Sequence, residues 1–176
     1  AMNESIDLRE FESHIALRTL EAGDFEAIID LQRRCFPGMT EWTRDQFNSQ
    51  LAHFPEGQFC IVHDQRIVAS ATSLIVDFDL YSDWHNWKEI SDNGFIHNHD
   101  PNGDTLYGIE IMVDPQFQGM KLARRLYDAR KNLVRERNLK GIVIGGRIPG
   151  YHAHRTRMTA HEYAEKVEDK TLYDPV

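Results

Sequence analysis

The chemically promising residues of this chain lie where an apolar strand runs into a basic helix. The segment reads Ile109-Glu110-Ile111-Met112-Val113-Asp114-Pro115-Gln116-Phe117-Gln118-Gly119-Met120-Lys121-Leu122-Ala123-Arg124-Arg125-Leu126. The strand stops at Pro115, a short loop crosses, and a helix starts near Gly119. The first amide groups of a helix have no partner within it. Together with the helix dipole they make a seat for a phosphate or pyrophosphate. Gly119 lets a ligand approach the backbone closely, and Lys121, Arg124 and Arg125 supply positive charge. The same order of residues also fits an ordinary strand–loop–helix unit whose basic face is solvated.

Other chemistries are less well supplied. There is no Gly-x-x-x-x-Gly-Lys-Ser/Thr and no Gly-x-Gly-x-x-Gly after a strand. The chain has 9 histidines, among them His85, the pair His97 and His99, and the pair His152 and His154. His-x-His in a loop offers two ligands and no defined surroundings for them, so no metal is expected. Cys35 and Cys60 lack a zinc spacing and are expected as packed, reduced thiols. Trp84 and Trp87 either form an apolar lid on the acceptor side or simply pack their loop onto the body.

Several elements must position the strand–turn–helix segment. Alternation over 14–19 predicts a strand, and Gly23 and Asp24 then open a helix with Ile28, Ile29, Leu31 and Cys35 or Phe36 inward. Thr43 with Gln46 is a capping box, opening a second helix through Phe47 and Leu51 toward His53. Strands at 58–63 and 66–79 are joined by a tight turn at Asp64-Gln65. The polar stretch 81–104 is a long connection with one short helix near 87–91, and connections of that length are usually functional. A strand at 105–114 precedes the strongest helix, 121–138. Leu122, Leu126, Ala129 and Leu133 form its apolar stripe, and basic residues are expected opposite. A strand at 141–147 and a helix at 159–167 complete a mixed α/β layer, with residues 1–13 as a loose arm or short helix ahead of one domain at 14–176.

The chain has 176 residues, is 41% hydrophobic and 27% charged, and carries a net charge of −8. That is the balance of a folded domain, and the acidity works against nucleic acid as a partner. Its longest apolar-leaning run, 67–76, is about half of what a membrane-spanning helix needs, and no signal peptide is visible, so a cytoplasmic location is expected.

The segment after the 105–114 strand resembles the signature of the GNAT superfamily of acyl-CoA N-acyltransferases. That signature is Arg or Gln, two residues, Gly, one residue, then Gly or Ala. Gln118 fills its first position and Ala123 its last, while Lys121 stands where the family has Gly. The order of helices, hairpin, signature strand and helix agrees from Ile15 to Arg147. The resemblance implies a mostly antiparallel sheet flanked by helices, here lacking the C-terminal closing strands. It further implies acetyl-CoA as co-substrate and an amine-bearing small molecule or peptide as acceptor, with no membrane partner. Backbone groups at Ile111, Met112 and Val113 would hold the pantetheine arm and polarise the thioester carbonyl. The amides of Gly119, Met120, Lys121, Leu122, Ala123 and Arg124 would receive the pyrophosphate. An amine with a pKa of about 10 must lose a proton before attack. Glu110, alone among Ile and Met, is the candidate base, or else a residue on a half-exposed face paired to a neighbouring cation. Family members often protonate the leaving thiolate with a Tyr after the fifth strand; Tyr151 and Tyr163 lie roughly there, outside the expected motif. The alternative reading is a non-catalytic acyl-CoA-binding module.

Residues 103–110 and 145–151 are also similar to the acetyltransferase half of bacterial proteins that continue into a nitrilase-like amidase. An attached amidase-like domain is the corresponding expectation. With no closing strand pair in view, the strand at 141–147 is expected to have an open edge with Ile142 and Ile144 poorly covered. Such an edge favours a dimer.

Overall fold

The computed structural model describes residues 7–81, 87–145 and 156–158, with backbone only at Trp87 and at the last three. Six strands lie side by side in chain order: β1 (Ile15–Thr19), β2 (Phe59–His63), β3 (Arg66–Val76), β4 (Thr105–Val113), β5 (Gly141–Ile144) and β6 (Thr156–Met158). All neighbours are antiparallel except β4 and β5, between which the helix Leu122–Glu136 crosses over. The β2–β3 turn places Asp64 at φ 47° and Gln65 at φ 68°. Two left-handed residues in succession give the turn a twist that matches that of the strands.

Among the described residues, five helices cover the sheet: α1 (Leu8–Ser13), α2 (Phe25–Cys35), α3 (Arg44–His53), α4 (Trp87–Ile90) and α5 (Leu122–Glu136). A 3-10 turn at Ala22–Asp24 leads into α2, and Arg18 of β1 grips the Asp24 carboxylate at 2.8 and 3.0 Å. The capping box of α3 forms as its sequence requires: the Gln46 amide donates to Thr43 Oγ1 at 3.1 Å and the Thr43 amide to Gln46 Oε1 at 2.8 Å. Residues 8–13 are helical, and the buried Phe11 ring stacks on His63 and Phe117.

Alternation along β4 divides the core. Ile109, Ile111 and Val113 join Leu122, Leu126 and Leu133 of α5 in one apolar cluster, whereas Met112 joins Ile28 and Leu31 of α2 and Phe47 of α3 in the other.

One expectation is corrected. β5 does not present an open edge, because β6 pairs along it in the register Ile142↔Met158, Val143↔Arg157 and Ile144↔Thr156, and Ile142 and Ile144 are buried. Association through that edge thereby loses its premise. Thr156-Arg157-Met158 is too short and too polar to show the alternation by which a strand is read. Arg147 and the expected helix at 159–167 lie outside the described residues.

Candidate active site

The site is built on an irregularity in β4. Strands β3 and β4 keep one register from Ala69↔Val113 to Thr72↔Glu110, then slip so that Ser73 faces Gly108. Ile109 is therefore the extra residue of a β-bulge, which bends the strand and sharpens its twist. β5 accompanies β4 only from Thr105↔Gly141 to Gly108↔Ile144, with a last bond from the Gly145 amide to Gly108 O at 3.3 Å. Among the described residues, no strand continues along that edge of β4 beside residues 110–113. The backbone there is a ladder suited to an extended chain of amides.

Arg130 holds the bulge from the α5 side. Its Nη2 donates at 3.0 Å to both Thr72 O and Glu110 O, and the side chain is 1% exposed. A Cβ on Gly108 would stand 2.7 Å from Arg130 Nη1, so the strand leaves room for the guanidinium there. This corrects the expectation that the basic residues of α5 all face away from its apolar stripe. Arg130 falls on the same side as the buried Leu126 and Leu133, and that spacing was the sequence signal for it.

Below the open edge, Asp114 anchors the turn into α5. Its buried carboxylate accepts from the Gln116 amide at 3.0 Å and from Arg34 Nε of α2 at 3.0 Å. After the 3-10 turn Pro115–Phe117 the chain reaches Gly119 at φ 85° and Lys121 at φ 61°. Lys121 thus takes up the left-handed conformation that a glycine would have supplied. Among the described residues, the amides of Gly119, Lys121, Leu122 and Ala123 donate to no backbone carbonyl, and they sit at the positive end of the helix dipole. Gln118, Gly119, Lys121 and Arg124 are exposed, Met120 is half-buried, and Leu122 and Ala123 anchor the helix in the core. Arg125 turns aside to Glu12 of α1 at 3.3 Å.

Glu110 lies on the α2 face of β4 and is 3% exposed, which removes the half-exposed alternative. Its Oε1 accepts from the indole Nε1 of Trp42 at 3.0 Å. Ile111 and Val113 turn their side chains into the α5-side core and Met112 turns its own into the α2-side core; alternation along the strand points the backbone groups of Met112 toward β3 and those of Ile111 and Val113 toward the other edge.

The family described as acetyltransferase (GNAT) matches residues 25–156. This chain belongs to it. Over 174 residues it is 36% identical to YkwB of Bacillus subtilis, named an uncharacterized N-acetyltransferase, covering 97% of this chain and 76% of that one. It is 51% identical over 175 residues to YhcX of the same organism, named a probable hydrolase, covering 99% of this chain and 34% of the relative's length. Among solved structures, the loading GNATL domain of CurA from Lyngbya majuscula superposes with a TM-score of 0.64 at 18% identity, over 74% of this chain and 63% of that one. Ard1 from Thermoplasma volcanium gives 0.59 at 14%, over 88% and 81%. These two share the fold.

Other reactive groups of this GNAT domain are occupied elsewhere. The Cys35 thiol donates to Val113 O at 3.2 Å, and burial, helped by the charge of Asp114, pushes it up to about 12. Burial pushes Cys60 up to about 11, so both stay protonated and weakly nucleophilic at neutral pH. His99 spends Nδ1 on the Ile75 amide at 3.0 Å and stacks on Phe54, whereas His97 bonds to Asp92 at 2.6 Å. The two imidazoles therefore serve different partners. Asp77, Asp79 and Asp104 come together beyond β3, where Asp77 accepts from the Asp79 amide and Asp104 from the Phe78 amide and Thr105 Oγ1. His85, His152, His154, Tyr151, Tyr163 and Trp84 lie outside the described residues, as does the Trp87 side chain. No helix among the described residues is long and apolar enough to cross a membrane.

Proposed function

We propose that the domain transfers an acetyl group from acetyl-CoA to an amine by direct attack of the amine on the thioester. The observation that carries this reading is that, among the described residues, no strand pairs with residues 110–113 of β4 on the β5 side, directly ahead of the α5 N-terminus, with Glu110 on the α2 face of the same strand. In this reading the amides at 119–123 receive the pyrophosphate, and the open edge at Ile111 and Val113 pairs with the pantetheine arm. A backbone N–H there stabilises the oxyanion. Glu110 takes the proton of the acceptor ammonium through a water, the amine nitrogen bonds to the carbonyl carbon, and the carbon–sulfur bond breaks as the nitrogen sheds its second proton, which the departing thiolate takes up to leave as CoA. The name of YkwB supports acetyl transfer. The name and length of YhcX support a second, hydrolytic domain on a longer polypeptide.

The test is thiol release. Acetyl-CoA with a panel of polyamines and peptides should liberate free CoA only when an acceptor is present. Gly119→Val, which forces a β-branched residue to φ 85°, should abolish CoA binding without unfolding the domain. Binding of CoA with no thiol released by any acceptor would make the domain a non-catalytic binding module. Undiminished binding by the Gly119 variant would remove the proposed pyrophosphate site.

A further inference from the structure

A carboxylate that is 3% exposed needs a reason to be there. Taking a carboxylate out of water is costly, so the groups that hold it there are informative. Trp42 and Glu110 are brought together across 68 positions of sequence, with Nε1 at 3.0 Å from Oε1. We infer that Trp42 is a positioning residue for Glu110, its indole N–H fixing the carboxylate in the orientation from which it accepts the amine proton. This rests on Glu110 being the base.

Trp42 is itself held on several sides. Gln32 of α2, 0% exposed, clamps the segment leading to it: Nε2 donates to Thr40 O at 3.0 Å and Oε1 accepts from the Trp42 amide at 3.2 Å. The ring lies against Gly94, where a Cβ would collide with the indole and where the backbone runs at φ 83°. That backbone is tied to α3 by three side chains on one helix face. Gln46, Gln50 and Ser49 donate to the carbonyls of Asn93, Gly94 and Phe95 at 2.7, 2.9 and 2.5 Å. A flat donor fixed in this way defines the plane of the carboxylate it meets. Because the indole is neutral and does not titrate, it favours the charged carboxylate without competing for its proton.

Trp42→Phe keeps an aromatic side chain, though a smaller one, and removes the N–H. With acetyl-CoA and an amine that turns over, kcat should fall about tenfold while KM for acetyl-CoA stays within about twofold. The acidic limb of the rate–pH profile should move upward, because a bond favouring the charged form has gone. Glu110→Gln, measured alongside, should lower kcat by about 10²-fold, and Trp42→Phe should add little on top of it. A purely structural tryptophan would lower the melting temperature and leave the limb in place. A damaging Glu110→Gln beside a Trp42→Phe with parental kcat and limb overturns this inference alone. A silent Glu110→Gln overturns the proposed base and this inference with it. Should Trp42→Phe fail to fold, the unmodified protein decides: the indole N–H resonance of Trp42 should titrate with the kinetic limb, and a resonance unmoved across it rules the inference out.

Discussion

Lys121 occupies with φ 61° a conformation that glycine adopts at little cost and lysine does not. Lys121→Gly should therefore raise stability by up to about 1 kcal/mol in urea unfolding. It should also weaken CoA binding and flatten its salt dependence, since one cation beside the proposed pyrophosphate seat is lost. Calorimetric titration at two ionic strengths checks the second part; unchanged affinity and salt slope would show that the lysine charge does not reach the ligand. The turn was legible from sequence because its residues are contiguous and their roles are backbone roles. Glu110 was legible as the one charge in an apolar strand. Trp42 and Gln32 were not, since they come to the site from α2 and the loop after it, and nothing local marks a tryptophan before a capping box as facing a strand far along the chain.

The β-bulge is the element that matters most, and Arg130 is what fills it. Replacing Arg130 with Met keeps the length of the side chain and strips a donor from two buried carbonyls, Thr72 O and Glu110 O. The cost should be about 2–4 kcal/mol, taking about 1–2 kcal/mol for each hydrogen bond lost from a charged donor. CoA affinity should fall as well, because the bulge sets the course of β4 ahead of the α5 N-terminus. Urea unfolding together with CoA titration measures both, and a variant destabilised yet binding CoA normally would separate the bulge from the cleft. Strands and helices were largely readable from periodicity and caps: Thr43 and Gln46 cap α3, and Asp64-Gln65 turns the hairpin. The bulge was not, since Gly108-Ile109-Glu110 reads equally well as an unbroken strand, and an extra residue shows only against its partner β3.

Across the molecule, the long connection between β3 and β4 is tied to the sheet through His99. Burial, helped by Arg137, holds this imidazole down at about 4, below its ordinary 6.5, while its Nδ1 accepts from the Ile75 amide. The folded state keeps His99 neutral after the unfolded chain has begun to take up a proton. Its contribution is therefore complete above pH 6.5 and is lost progressively as pH falls from 6.5 toward 4. Melting temperatures between about pH 7.5 and 5, above most carboxylate titration, should decline, and less steeply in His99→Gln. Identical slopes would assign the decline to other groups. At this scale the order of elements along the chain and the mixed α/β layer with helices on its faces followed from the sequence. The short β6 did not, because a strand of 3 residues is specified by the neighbour it joins rather than by its own pattern.

The three side chains of α3 that hold residues 93–95 bond to backbone carbonyls, not to side chains. Position and chemical character in that wall are thus encoded by different stretches of the chain. Gly94 is constrained by its φ and by the indole, and Asn93 by a left-handed φ of 59°, whereas Phe95, whose ring stacks on His97, is held to α3 through a carbonyl that every amino acid possesses. The side chain at 95 can therefore be exchanged without losing the bond to α3, which leaves this GNAT domain a position able to diversify in evolution without disturbing the carboxylate behind it.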